Sequence, residues 1–389
     1  MTDGPPRAAF YTPLKHPFEG EPSGDRAIGR TLMTGLRASG LEPELASRFL
    51  TWRRAFDPGD AERLSCRAAI IAATLVARYR RRPPACRPRV WVTYQNYYRC
   101  PDLVGSTVAP ALGIPYVLID TAVSTRSRRT PFRPWVAAAR LALRQAALIF
   151  AMSPRDLPRL AALRGRRFAE TRLVLLPPAV DVSRFDVREA RPAAVRARLL
   201  GERAVAGPLL LCVAMMRRTD KLDSYRLLGA ALTRLHQAVP ERPWRLVVAG
   251  EGPARPEVEA AFAALPSDRV TLLGAVPADG LVSLYLAADL FAFPGLGEAL
   301  GLVFLEAAAA GLPVVACRGP GPDYMVAPGG GILTAPTPEA LADGIRALLD
   351  EPARGRALGA AARRFAREER SVEALQRRLG AGLTRLGIR

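Results

Sequence analysis

The chain has 389 residues, 49% of them hydrophobic, which is enough material for the cores of two domains of ordinary size. Its formal charge of +20 is almost all arginine, because Lys15 and Lys221 are the sole lysines. The five scattered cysteines form no C-x-x-C pair and the chain has two histidines, which argues against a structural zinc site and predicts a reducing, cytoplasmic location.

Short apolar runs alternate with longer helical patterns along the whole chain. In the first half these runs predict strands at 8–12, 44–46, 90–94, 115–120, 148–152 and 173–176. In the second half they predict strands at 209–214, 245–249, 270–273, 290–293, 313–316 and 331–333. Strands that alternate with helices form parallel sheets with right-handed crossovers. The sequence therefore predicts an α/β protein with two doubly wound, Rossmann-like domains that face a central cleft.

A proline-rich and polar stretch at 177–192 predicts the linker between the two halves. We expect an N-terminal domain at 1–186 and a second domain at 187–370. We also expect a last helix, at about 371–389, to pack back on the first domain. Ligands of doubly wound sheets sit beyond the carboxyl ends of the strands, so residues at those ends are the candidates for function.

The segment 294–315 carries two carboxylates eight positions apart, Glu298 and Glu306, where a strand passes into a helix. The helix is predicted to begin near Gly301, and its free amides would bind phosphate well. Glu306 is the single charged residue of 299–310, and an acid on an apolar helix is costly to bury without a partner. The alternative is a capping loop before a core helix, but the isolated carboxylate favours a functional role.

This segment resembles the Glu-x7-Glu donor motif of family-4 (group 1) glycosyltransferases, which have the two-domain GT-B fold. The resemblance continues in three further stretches, 175–185, 246–253 and 270–289. It departs from the interdomain signature of the family at Pro178 and Ala179, where relatives have Asn-Gly. The second half matches nearly throughout and the first half loosely. The resemblance also implies donor-side roles for three glycines, Gly250, Gly252 and Gly274.

The resemblance implies a role for each glutamate. Glu298 would contact the transferred sugar and help hold the positive charge that develops near its anomeric carbon. Glu306 would accept hydrogen bonds from the ribose hydroxyls of a nucleotide, since one carboxylate can take two O–H donors from a vicinal diol. The backbone amides around Leu300, Gly301 and Leu302 would cradle the diphosphate.

Relatives in this family also have an arginine and a lysine after the first donor-domain strand, which neutralise the leaving diphosphate. Lys221 fits the lysine. A methionine stands where the arginine is expected, so Arg217 or Arg218 must supply it, and the sequence leaves both open. A cation here would stabilise charge that grows on the leaving group and so lower the barrier. The alternative is a solvated pair of loop arginines.

The acceptor-side residues are less clear. Gly24 opens a helix where the family has a glycine-rich loop near the phosphates, although a plain Ser23 N-cap explains the same residues. Many relatives have a histidine after an early strand of this domain, and the corresponding strand ends here have none. His16 is therefore the histidine candidate, and Asp120 is a candidate base by position. In retaining members the leaving phosphate is itself proposed to take the acceptor proton.

The positive charge is concentrated in the first half, where residues 1–186 hold 30 basic and 15 acidic residues. This excess predicts an anionic partner. Two stretches favour an anionic membrane surface as that partner. One is 126–144, where Phe132 and Trp135 stand among arginines, and the other is the arginine-rich run at 78–82. The alternative is a solvated face in an arginine-rich protein. No recognition motif accompanies the charge, so nucleic acid is not expected.

Together these features predict a glycosyltransferase that moves a sugar from a nucleotide diphosphate sugar to an acceptor, with retention, in cell-surface glycan or glycolipid synthesis. No metal or other cofactor is expected, because no Asp-x-Asp stands near a strand end. We expect a cytoplasmic enzyme, peripheral on the inner face of the cell membrane. The alternatives are a non-catalytic nucleotide-sugar-binding protein, against which the intact glutamate pair argues, and a GT-B-fold epimerase or phosphorylase.

Overall fold

The computed structural model describes residues 4–21, 23–122, 132–164, 172–186, 194–197 and 207–388. The chain divides into two compact units. The first comprises Met1–Pro178 and Val372–Arg389, and the second comprises Ala179–Ser371. Each unit contains one six-stranded parallel sheet with helices between its strands, which confirms the predicted α/β class and the two doubly wound domains.

The first unit has the strand order β2-β1-β3-β4-β5-β6, so the order reverses between β1 and β3. Its strands are β1 (Arg7–Tyr11), β2 (Glu42–Ser47), β3 (Pro88–Asn96), β4 (Tyr116–Thr121), β5 (Leu148–Ala151) and β6 (Arg172–Leu175). Its helices are α1 (Gly24–Ala38), α2 (Pro58–Arg81), α3 (Gly105–Leu112), α4 (Arg133–Gln145) and α5 (Asp156–Arg164). All six strands predicted in this half are confirmed.

The second unit has the strand order β12-β11-β10-β7-β8-β9, which reverses between β7 and β10. Its strands are β7 (Leu209–Val213), β8 (Arg245–Ala249), β9 (Val270–Gly274), β10 (Leu290–Ala292), β11 (Val314–Cys317) and β12 (Gly331–Thr334). Its helices are α6 (Asp220–Ala238), α7 (Arg255–Phe262), α8 (Ala278–Ala287), α9 (Leu302–Ala310), α10 (Pro322–Met325), α11 (Pro338–Asp350) and α12 (Pro352–Glu369). The six strands predicted here are also confirmed.

The strands are continuous apolar runs because helices cover both faces of each sheet. Every residue of β7 and of β5 is buried, for example. Each unit has its own core, with Trp91 and Tyr11 among the largest buried side chains of the first and Phe291 and Phe304 among those of the second.

The chain enters the second unit at Ala179 and leaves it after Ser371. Residues 179–186, which the sequence analysis placed in the first domain, group with the second unit, because Val180 bridges to Ser371 and Phe185 is buried in the second core. The last helix, α13 (Val372–Thr384), returns to the first unit and packs on α1. Gln376 Nε2 donates to the carbonyl of Ala38 at 2.6 Å in this contact.

The two aromatic residues that suggested a membrane surface are buried in the structure. Phe132 and Trp135 are 7% and 2% exposed and pack in the first core, with Phe56 against both rings at 5.4 and 5.6 Å. The interpretation of these two rings as surface residues was therefore wrong. Arg126, Arg128 and Arg129 lie outside the described residues. Among the described residues, no helix combines the length and the apolar composition that a membrane crossing requires.

Candidate functional site

The loop that follows β10 lies where the strand order of the second sheet reverses, at the carboxyl ends of β7 and β10. Gly295, Gly297 and Gly301 all have positive φ, of 71°, 66° and 76°, which lets this loop fold back tightly. A side chain at Gly297 would lie 1.8 Å from Asp220 Oδ2, and the amide of Leu296 donates to Ser224 Oγ at 3.0 Å. The loop is therefore held directly against the first turns of α6.

This packing brings Lys221 of α6 and Glu298 of the loop into an ion pair between Nζ and Oε1. The side chains are 24% and 15% exposed, and Lys221 Nζ also lies 5.0 Å from the ring centre of Phe293. Burial lowers the pKa of Lys221 to about 8, nearby Cys212 opposes that effect, and the Arg217 guanidinium adds to it. The pair is thus a half-buried cation beside a carboxylate, at the point where a doubly wound sheet binds its ligand.

The two arginines that the sequence left open have different neighbours. Arg218 is held by Glu257 of α7, with Nε 2.5 Å from Oε1. Arg217 is exposed, contacts the sulfur of Met215 at 3.1 Å and acts electrostatically on Lys221. Arg217 therefore lies near enough for its charge to act on Lys221, whereas Arg218 is paired with Glu257. Which of the two binds a diphosphate stays a prediction.

Helix α9 begins beside this pair, as the sequence predicted. Its N-cap is Gly301 in the left-handed conformation, and no side chain caps its first amides. Leu300 and Gly301 form the approach to the helix and Leu302 is its first residue. Amides without a cap and the positive end of the helix dipole together favour an anion at this position.

Glu306 lies more than one turn inside α9, where it has a partner that sequence reasoning missed. Tyr285 Oη, on α8, donates to Glu306 Oε2 at 2.9 Å. The Tyr285 ring is buried and packs against Phe185 with centroids 6.1 Å apart. Burial raises the pKa of Glu306, while the Tyr285 hydrogen bond and the charge of Arg184 oppose that rise. A tyrosine in the apolar second half of α8, within Leu284–Ala287, was the signal that could have identified this partner.

The three glycines after β8 and β9 are accounted for by backbone packing. A Cβ at Gly250 would lie 1.8 Å from the carbonyl oxygen of Ala214, and one at Gly252 would lie 2.3 Å from that of Met216. Gly274 ends β9, and its carbonyl accepts from the amide of Gly250 at 2.8 Å. These glycines allow the loops after β7 and β8 to approach each other closely, and their contact with a donor stays a prediction.

In the first unit, Ser23 caps α1, with Oγ accepting from the amide of Arg26 at 3.4 Å. The plain N-cap interpretation of this segment therefore holds, and Gly24 is the first residue of the helix. A phosphate contact by Gly24 stays a prediction.

His16 lies in the loop after β1, within local contacts. His16 is 8% exposed, its Nδ1 accepts from the amide of Phe18 at 3.3 Å, and its Nε2 lies 3.8 Å from Glu19 Oε1. Burial lowers the pKa of His16, Glu19 raises it, and two arginines lower it.

Asp120 lies at the carboxyl end of β4 in an unusual conformation. Asp120 and Gln95 have φ of 57° and 73°, and they are the two non-glycine residues of the described chain with positive φ. Burial raises the pKa of Asp120 to about 7, with Asp156 and Asp25 adding to the rise, and a hydrogen bond from Gln95 opposes it. A carboxyl group that titrates near neutral pH can give or take a proton there, and strained backbone of this kind clusters at functional sites.

The neighbours of these two residues hold them in place. Asn96 and Thr121 are register partners in β3 and β4, and each directly follows one of the strained residues. Asn96 Nδ2 donates to Thr121 Oγ1 at 3.2 Å, and Thr121 Oγ1 donates to the carbonyl of Asn96 at 2.7 Å. These two hydrogen bonds hold the carboxyl ends of β3 and β4 together.

With this geometry in view, residues 207–351 match the family described as glycosyl transferases group 1. The matched stretch lies within the second unit. The resemblance seen in the sequence is confirmed, and the matched stretch includes both glutamates and Lys221.

Curated glycosyltransferases align with the chain over about half its length. The GDP-mannose-dependent alpha-(1-6)-phosphatidylinositol monomannoside mannosyltransferase of Mycolicibacterium smegmatis is 33% identical over 202 residues, covering 49% of this chain and 50% of the relative. The D-inositol 3-phosphate glycosyltransferase of Corynebacterium urealyticum is 33% identical over 191 residues, covering 47% and 44%. The chain thus spans about half the length of the curated relatives it matches.

A solved structure resembles the whole chain. The HepE protein of Anabaena, in complex with UDP, has a TM-score of 0.70 at 18% identity and covers 97% of this chain and 100% of its own. The likeness confirms the predicted GT-B fold.

Proposed function

We propose that the protein is a glycosyltransferase that transfers a sugar from a nucleotide diphosphate sugar to an acceptor. The observation that carries the proposal is the contact of Lys221 with Glu298 beside the uncapped start of α9, within a group 1 domain. The UDP complex of the HepE protein and the GDP-mannose dependence of the mycobacterial relative support this class of donor.

In this proposal the diphosphate lies against α9 and between two cations. Lys221 and Arg217 neutralise the charge that grows as the bond from the anomeric carbon to the phosphate oxygen breaks, which lowers the barrier. Glu298 faces the sugar and balances the positive charge at the anomeric carbon. Glu306, held by Tyr285, accepts from the ribose hydroxyls. Arg217 and Lys221 supply the positive charge, so no metal ion is required, and the family resemblance supports retention.

The acceptor oxygen forms the new bond to the anomeric carbon, and its proton must leave. An oxygen of the departing phosphate takes it. Asp120 of the first unit stays the acceptor-side candidate of the sequence analysis, and its pKa, raised by burial to about 7, would let it take a proton near neutral pH.

We also propose a cytoplasmic protein that contacts an anionic membrane surface through its first unit. All five cysteines are free, which agrees with a reducing compartment. Ile70, on the long helix α2, is 68% exposed, and Arg67 and Arg81 on the same helix are exposed as well. An exposed apolar side chain with neighbouring arginines is the pattern of a helix that lies on an anionic bilayer. A glycan or glycolipid precursor as acceptor would agree with that location.

The decisive experiment incubates the full chain with UDP-, GDP- and ADP-sugars and follows the release of nucleotide diphosphate. Glu298→Gln should reduce turnover by at least about 100-fold, the scale of losing one charge-stabilising group, with unchanged circular dichroism. The matched control is Glu241→Gln, the same change at an exposed position. Near-normal turnover by Glu298→Gln would contradict its role. Tight binding of a nucleotide sugar without any release would identify a non-catalytic binding protein instead.

A further inference from the structure

We propose that two copies of this chain associate through a groove between α2 and α3 of the first unit, with the two α2 helices packed antiparallel across a twofold axis. The groove has a volume of about 560 Å³. None of the residues that line it is a candidate of the donor side or of the acceptor side. The interface therefore goes beyond the proposed function and does not depend on it.

The walls of the groove are helical and mostly apolar. Ala69, Ala73 and Val76 of α2 lie on one wall, and Leu103 and Thr107 of α3 lie on the other. Alanine side chains are short, so a second helix can approach the axis of α2 closely. Helix α2 has 24 residues and is about 36 Å long, so a helix of the same length can lie along it.

The two ends of the groove side of α2 carry opposite charges. Glu62 and Arg80 are both exposed, and they are about five helical turns apart, so they lie on the same face of α2. Arg80 lines the groove, and its Nη2 donates to the carbonyl of Ala111 in the last turn of α3 at 2.8 Å. Its other N–H groups are donors that a partner can use.

This pattern is complementary to itself when the direction of the second helix is reversed. An antiparallel pair that places Ala69 opposite Ala73 of the second copy also places Glu62 opposite Arg80 of that copy. The twofold axis repeats each contact, so the interface contains the Glu62–Arg80 pair twice. A parallel pair would instead bring like charges together at both ends. Opposed helix dipoles favour the antiparallel direction as well. A second copy of the chain is therefore the occupant that fits the groove.

The groove side of α2 is separate from its exposed face that carries Ile70. Ile70, Arg67 and Arg81 lie about 100° or more around the helix from Ala69, at about 100° per residue. The twofold axis of an antiparallel pair is perpendicular to both helices, so the two faces that carry Ile70 lie on the same side of the pair. Association through the groove therefore leaves both of them able to contact a bilayer.

The test measures the dimer Kd of the full chain by sedimentation velocity, with a reductant present because Cys66 of α2 is exposed. Glu62→Arg and Arg80→Glu should each raise that Kd about tenfold or more, since each change replaces two attractive pairs by two repulsive ones. An equimolar mixture of the two variants should associate as tightly as the unaltered chain, because the mixed dimer has opposite charges at both ends again.

A bulky side chain inside the groove gives an independent variant. Ala73→Trp should raise the dimer Kd at least about tenfold, because an overpacked contact cannot close. Ala137→Trp, the same change at an exposed alanine of α4, is the matched control and should leave the Kd unchanged. Circular dichroism checks that each variant is folded.

Three results would overturn the interface: a chain that stays monomeric up to its solubility limit, an unchanged Kd for Ala73→Trp, or a mixture of the charge variants that associates no more tightly than either variant alone. A monomeric chain that loses binding to phosphatidylglycerol vesicles on Ala73→Trp would assign the groove to a lipid instead. No measurement here uses a sugar donor, so the outcome is independent of turnover.

Discussion

Replacing Asp120 by asparagine tests whether folding raises the pKa of this carboxyl group. Asparagine has nearly the same shape and tolerates the left-handed backbone that Asp120 adopts, with φ of 57°. It keeps a carbonyl oxygen for the Gln95 hydrogen bond but carries no titrating proton. The substitution therefore removes the charge and leaves the packing.

The sign and the magnitude follow from proton linkage. Burial raises the pKa of Asp120 from 3.8 to about 7, so between these two values the folded chain binds more protons than the unfolded chain. The free energy of unfolding of the unaltered protein must therefore fall as the pH rises through this window. A shift of about three units corresponds to about 4 kcal/mol at 1.36 kcal/mol per unit. Because Asp120 is partly exposed, solvent screening reduces this to roughly 2–4 kcal/mol.

The assay is urea unfolding at pH 4 and pH 8. Asp120→Asn should be close to neutral at pH 4 and should stabilise the first unit by roughly 2–4 kcal/mol at pH 8. Asp268→Asn, at an exposed position, is the control and should show no such difference. An Asp120→Asn effect of the same size at both pH values would refute the reasoning. The same variant should lose transfer activity. Asp120 would then support activity while lowering the free energy of unfolding.

Three further predictions concern the second unit. Arg217→Ala should raise the donor KM or lower kcat in the nucleotide-release assay, whereas Arg218→Ala should do little, because Arg218 is already paired on the flank; the opposite order would reverse the assignment. Tyr285→Phe should raise the donor KM about fivefold, the value of one hydrogen bond, with little change in kcat, and an unchanged KM would show that Tyr285 does not position the carboxylate. Gly297→Ala should lower the free energy of unfolding by about 2 kcal/mol or more, because its φ is 66° and Asp220 fills the space; thermal unfolding checks this, and an unchanged midpoint would contradict it.

The sequence by itself determined the class of fold and the position of the segment with the two glutamates. Apolar runs and helical periodicity are local properties, so they identified the twelve strands of the part of the chain that the structure describes. The start of α9 at Gly301 and its end at Gly311 followed from glycine and proline signals near in sequence, and both glycines have positive φ in the structure. The spacing of Glu298 and Glu306 needed no tertiary information.

The tertiary structure alone decided which side chains meet. Lys221 and Glu298 come together because their strands, far apart in the chain, are neighbours at the reversal of strand order. Arg218 forms an ion pair with Glu257. Glu257 is far from Arg218 in sequence, so no local pattern predicts this pair. Phe132 and Trp135 look like surface aromatics among arginines, yet they are buried by residues of other elements. Periodicity describes one segment at a time, whereas burial, ion pairs and raised pKa values arise between segments that the chain crossovers bring side by side.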